Sequence, residues 1–169
     1  MICKLKLIIF ALIYLSIALT RVELATIQVA TSTDLTNALK KVSPGDTIIL
    51  ADGTYTSYMF TGAINGTATN PITVTGSKNA ILTSGDLSRG YGFHLTANYW
   101  ILNGFSVNGS SKGIVLDGAN FNVISNVSVS NIGAEAVHFR CYSSDNTIEY
   151  SQITNTGQYP GNQGYGEGN

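Results

Sequence analysis

The residues best equipped for chemistry fall on one repeating strand series. Three short segments, GFHL (92–95), GIVL (113–116) and AVHF (136–139), recur with steps of 21 (Phe93 to Ile114) and 23 (Ile114 to Val137). If Phe93 and Leu95 point inward, strand alternation sends His94, Thr96, Val115, Asp117, His138 and Arg140 outward on one patch. Asp117 and Arg140 then occupy matching positions on neighbouring strands, about 4.8 Å apart. His138 lies two residues before Arg140 on the same face. A base, a cation and a carboxylate gathered in this way suit proton removal beside an anionic group. His138 and Arg140 are the catalytic candidates, and His94 and Asp117 the binding ones. The plainer alternative is a surface ion pair worth under about 1 kcal/mol beside a solvated histidine.

Two further groupings deserve the same weighing. Glu135 precedes AVHF, and Glu167 precedes the position where the next strand of that series is due, so the two carboxylates could stack at one turn and bind calcium. Calcium takes about six to eight oxygens, which favours an ordinary exposed turn. The segment QYPGNQGYG before Glu167 reads as a long turn, where Tyr159 and Tyr165 could stack on sugar rings or merely fill the loop. Asn65, Asn108 and Asn126 open N-x-Ser/Thr sequons, candidate N-glycosylation sites that a chain rich in these residues also produces by chance. No HExxH, P-loop, GxSxG, CxxC or GxGxxG occurs, which argues against zinc-protease, nucleotide and serine-hydrolase chemistry.

The elements that must hold these residues follow from a second series with the same period. YWILNGFSVNG (99–109), NVISNVSVSNIG (122–133) and NTIEYSQITNTG (146–157) place Leu102, Ile124 and Ile148 in register, with steps of 22 and 24. Val107, Val129 and Ile153 follow the same spacing. Two strand series sharing one period predict coils stacked in a right-handed parallel β-helix, because an antiparallel sandwich has no reason to keep the register. Asn131 and Asn155 fall in register too, as rungs of an asparagine ladder. Apolar runs are expected at 47–50, 55–60, 72–75, 80–83 and 93–95, punctuated by Asn-Gly and Asp-Gly turns. One amphipathic helix is predicted over STDLTNALKKV (32–42), N-capped by Ser32 or Thr33 and stopped by Pro44-Gly45, where it would cap the first coil. No such cap follows the last coil, so the chain reads as a β-helix cut short at its C-terminal end, with coils spanning 47–169.

Composition agrees with an all-β domain. The 169 residues are 44% hydrophobic and 11% charged, with 18 glycines and three prolines, enough for one core joined by tight turns. A net charge of −1 provides no basic surface for a phosphate backbone, which excludes sequence-independent nucleic-acid binding. Residues 1–25 read as a signal peptide: Lys4 and Lys6 precede an apolar stretch from Leu7 to Leu19 too short for a comfortable membrane span, with cleavage between 18 and 25. The expected product is extracellular, with no membrane span after cleavage. Cys141 then remains as the sole mature cysteine in an oxidising compartment, either buried or lacking its partner.

KKVSPGDTIILADGTY (40–55), NPITVTG (70–76), YWILNGFSV (99–107) and GIVL (113–116) resemble the opening of pectate-lyase-like β-helix proteins. The nearest are polysaccharide lyases of the chondroitinase B and alginate lyase type and the calcium-dependent pectate lyases of family 9. The resemblance covers residues 26–157 and implies β-elimination on an acidic polysaccharide, with a Lys or Arg base and calcium on the substrate carboxylate. It also implies catalytic residues on later coils, so none is transferred to this chain and no cofactor is evident in it. A non-catalytic carbohydrate-binding or surface β-helix is the alternative. A glycoside hydrolase would need two carboxylates about 5 to 10 Å apart, a role only Glu135 with Glu167 could fill. The oligomeric state is open.

Overall fold

The structure, a computed structural model, describes residues 24–159. Every strand pairing in it is parallel, and the strands stack in three files along a solenoid. The first file is β1 (Thr26–Val29), β2 (Thr47–Leu50), β5 (Ile72–Gly76), β8 (Trp100–Asn103), β10 (Val123–Ser125) and β13 (Thr147–Glu149). The second is β3 (Gly53–Thr56), β6 (Ala80–Thr83), the opening of β9 (Ser106–Asp117), β11 (Ser128–Ile132) and β14 (Gln152–Thr154). The third is β4 (Phe60–Gly62), the end of β7 (Asp86–Leu95), the end of β9 and β12 (Val137–Arg140). The two expected series are therefore three: the second turns the corner into the third within β9 itself.

That corner is possible because its inner position carries almost no side chain. A Cβ added to Gly113 would lie 2.1 Å from the Ala136 carbonyl oxygen and 2.6 Å from Val129 Cγ1. Glycine is required there by close approach, and the bend brings the chain onto the third face.

The tube is filled by the inward positions of all three files. Ile48, Val74, Leu102 and Ile124 form one column, and Phe60, Phe93 and Ile114 another, each at most 1% exposed. At roughly 1.5–3 kcal/mol per fully buried large apolar side chain, these columns dominate the favourable side of folding. The polar residues left inside are satisfied. Trp100 Nε1 donates to the Ile64 carbonyl at 2.8 Å, and Tyr55 Oη donates to the carbonyls of Val29 and Ala51.

Asparagine ladders tie the turns. Asn155 Nδ2 donates to Asn131 Oδ1 at 3.3 Å, as the register implied. The fully buried Asn122 accepts from the Trp100 backbone and donates to Asn146 Oδ1, a second ladder between successive coils.

Helix α1 (Ser32–Leu39) covers the first coil by burying Leu35, Ala38 and Leu39. Its N-cap is Thr31, one residue ahead of the expected Ser32 or Thr33, because the Thr31 hydroxyl accepts from the Asp34 backbone N–H at 3.1 Å. The run expected at 55–60 is interrupted at 57–59 and gives β3 and β4. Cys141 is not buried: it is exposed, in a left-handed conformation, with no disulfide among the described residues. No described helix is long and apolar enough to cross a membrane. The expected signal peptide lies outside the described residues apart from Leu24 and Ala25, and so do Tyr165 and Glu167.

Candidate functional site

Charged and titratable side chains collect on the outer face of the third file. Thr61, His94, Val115 and His138 lie in one register row, with Asp117 beside Arg140 two residues on and Tyr91 beside Lys112 on the opposite side. The Asp117 carboxylate takes contacts from the coils on both sides. Arg140 donates through Nε to Asp117 Oδ1 at 2.5 Å and through Nη2 to Oδ2 at 2.9 Å, and His94 Nε2 lies 2.8 Å from Oδ2. This two-toothed contact fixes the guanidinium plane. Tyr91 supports it: the Arg140 Cζ sits 5.6 Å from the Tyr91 ring centroid, Nη2 reaches Tyr91 Oη at 3.3 Å, and the Tyr91 and His94 rings meet edge to face at 5.5 Å. The Arg140 hydrogen bonds are the largest influence on Asp117 and, with His94, outweigh its burial and hold its carboxyl down at about 2; the same bonds raise Arg140 above its ordinary value.

A second cluster adjoins the first. Lys112 Nζ donates to Glu135 Oε2, while Glu135 Oε1 stands 3.3 Å from His138 Nδ1. Burial pushes the Glu135 carboxyl up, but the Lys112 hydrogen bond, the Glu135 backbone N–H and the charges of Lys112 and His138 leave it lowered overall. His138 Nδ1 is enclosed and makes no hydrogen bond, and the side chain is 35% exposed, which leaves Nε2 as the ring nitrogen open to solvent. The arrangement sets a carboxylate near the inner nitrogen of a histidine whose outer nitrogen is presented for binding or proton transfer. With Arg140 and Lys112 matched by Asp117 and Glu135, the face is neutral when both histidines are neutral.

A wall rises along the Lys112 side. The bulge in β7 between Asp86 and Tyr91 packs against the turn at Gly133, and the Tyr159 backbone N–H donates to the Gly133 carbonyl at 3.0 Å. On this rim stand Arg89, 75% exposed and paired with Asp86 at 2.9 Å, and Tyr159, 39% exposed.

The structure thus brings together His94, Asp117, His138 and Arg140, in the register read from the sequence, and sets Tyr159 at the rim. Val115 is a correction. It occupies the outward row but is completely buried, outside the tube core, between His94 and His138. Glu135 is engaged within the chain, with Lys112 Nζ donating to Oε2 and Oε1 lying 3.3 Å from His138 Nδ1, and its expected stacking partner Glu167 lies outside the described residues. Among the described residues no group of three or more His, Cys, Asp or Glu could hold a metal ion. Lys112 is a second cation of the face beside Arg140. Lys112 and Tyr91 were missed because each lies two residues before an inward position of the repeat, Ile114 and Phe93, where strict alternation turns it inward as well. Of the three sequons, Asn65 and Asn126 are exposed and Asn108 is half-buried, with its Nδ2 donating to Ser130 Oγ at 2.8 Å.

The stacked coils and their register define a right-handed parallel β-helix of the pectate-lyase-like kind. Residues 13–166 match the family described as Pel9A-like, right handed beta helix region, and the chain belongs to that family. An alginate lyase from Paenibacillus sp. str. FPU-7 superposes with a TM-score of 0.77 at 42% sequence identity, over 80% of this chain and 46% of that one. A variant of the PL6 family alginate lyase AlyGC gives 0.63 at 23% identity, over 80% of this chain and 20% of that one. Pectate lyase Pel9A gives 0.61 at 20% identity, over 78% and 40% respectively. The last two show the fold alone. The chain therefore spans less than half the length of each of these structures. No curated protein matches it.

Proposed function

We propose that this chain is exported and works on acidic polysaccharide as part of a polysaccharide-lyase-type β-helix, with the outer face of the third file lying along the saccharide. The observation that carries the reading is the 42% identity over 80% of the chain to a protein that is an alginate lyase. The reaction class is β-elimination: a base takes the proton next to the uronate carboxylate, its electrons form the ring double bond, and the glycosidic C–O bond breaks as the leaving oxygen is protonated. On the described coils only His138 combines an accessible ring nitrogen with a carboxylate behind it, so it is the base candidate. Arg140, held rigid by Asp117 and Tyr91, is the group to meet the substrate carboxylate, and Tyr159 the ring to stack on a sugar.

One observation favours a second reading, a binding wall without chemistry of its own. Both cations of the face are already paired with carboxylates, which weakens their capacity to acidify a neighbouring C–H. The test is to incubate the exported chain with alginate and with polygalacturonate, with calcium or a chelator, and to follow the ultraviolet absorbance of the unsaturated product. A rise lost in His138→Ala supports catalysis on these coils. Binding without a rise supports the wall, and neither binding nor a rise on any uronan refutes both.

A further inference from the structure

The polar face ends in a cavity of about 400 Å³ between α1 and β4, the first strand of the third file. Its floor is apolar, made by Leu39, Met59, Phe60 and Ile64, and its polar groups are Thr36, Thr61 and Lys40. We infer that this cavity is a terminal saccharide subsite, taking one uronic-acid ring with its carboxylate on Lys40. The inference rests on the reading that the third face lies along acidic polysaccharide.

Three observations carry it. The cavity is continuous with the face, because Thr61 lines it and is also the row neighbour of His94. A saccharide running along the row from His138 through His94 arrives at Thr61 and then meets α1, which stands across its path. Second, the chemistry fits a pyranose carrying an acid: an apolar floor for the C–H face of the ring, hydroxyls for its hydroxyls, and one cation. The Thr36 hydroxyl donates to the Ser32 carbonyl and keeps its lone pairs, and the Thr61 hydroxyl has no partner among the described residues. Third, the charge is available. Arg140, Lys112 and Arg89 are each paired with a carboxylate, and Lys78 is consumed by the carbonyls of Gly104 and Asn126. Lys40, one residue past the end of α1, makes no ion pair or hydrogen bond with a side chain among the described residues and is exposed. The end of the face thus offers a further substrate carboxylate a cation, Lys40, that no carboxylate of the described residues already holds.

The test is calorimetric titration of the full chain with an alginate hexasaccharide, and with cellohexaose as a neutral chain of equal length. Lys40→Met removes the charge, and Ala63→Trp fills the mouth of the cavity from an exposed position. Lys41→Met removes the neighbouring charge, which lines a different depression with Ile27 and Gln28. The expected result is about tenfold weaker alginate binding for each of the first two variants, the equivalent of about 1.4 kcal/mol, with Lys41→Met unchanged and cellohexaose bound far more weakly than alginate. Wild-type affinity in both Lys40→Met and Ala63→Trp, with affinity lost in Arg140→Gln, overturns the subsite and leaves the polar face standing. Equal losses in Lys40→Met and Lys41→Met reduce it to diffuse attraction and overturn it. Equal binding of cellohexaose overturns the carboxylate assignment. No binding of alginate by the unmodified chain removes the subsite and the functional reading together.

Discussion

The first and third files are built on the same tube, yet their outer faces differ in kind. On the first, one outward row reads Thr26, Thr47, Thr73, Ile101, Val123 and Thr147, all β-branched and uncharged, and the parallel row acquires a charge only at Glu149. Those residues suit a pleated sheet and ask nothing further of their neighbours. On the third, rows only three or four residues wide hold two cations, two carboxylates and two histidines in mutual contact across three coils. Propensity explains the first face. It does not explain the second, where charged groups are partly desolvated and kept by pairing, and the proposed function rests on that difference.

The contrast can be broken most severely at the corner that creates the third face. Gly113→Val should cost about 3 kcal/mol or more, since its side chain meets the Ala136 carbonyl and Val129, and thermal or denaturant unfolding will read the loss. A smaller effect is expected from Asp117→Asn, which leaves Arg140 and His94 without their shared anion: about 1–2 kcal/mol, with a double-mutant cycle against Arg140→Gln returning a coupling near 1 kcal/mol. A coupling of zero would reduce the pair to the solvated surface contact that the sequence equally allowed.

Acid should act on this face through Asp117. The folded-state Asp117 carboxyl lies at about 2 against an ordinary 3.8, so its stabilisation is complete above the ordinary value and is lost as pH falls from about 4 through 2. Because the group is only partly enclosed, that loss is of order 1 kcal/mol after screening. Asp117→Asn should flatten this part of the pH–stability curve. The smallest effect belongs to the first face: Thr73→Ala should change stability by no more than about 0.5 kcal/mol and leave saccharide binding intact. A large loss of binding in that variant would place function on the wrong face.

Much of the fold was legible because a coil repeats itself. Leu102 with Ile124 and Val107 with Val129 recur at one spacing, and parallel stacking is the arrangement that turns such a spacing into contact. The facing of Asp117 and Arg140 came from the same regularity, with His138 placed by simple alternation. Val115 escaped it, since alternation reports which way a side chain points and not what its neighbours cover. Lys112 and Tyr91 escaped for a related reason: alternation counted back from Ile114 and Phe93 turns them inward, and only the bend of the chain at the corner brings them to Glu135 and Arg140.

By itself, then, the sequence determined the coil, its register and the rows that share a face, because those depend on periodic burial of apolar side chains. Which charges are spent on one another, which row residue is sealed, and that Lys40 of the capping helix stands beside Thr61 and Ile64 at the end of the polar face were decided only by tertiary structure. These are matters of distance between elements that no local pattern encodes.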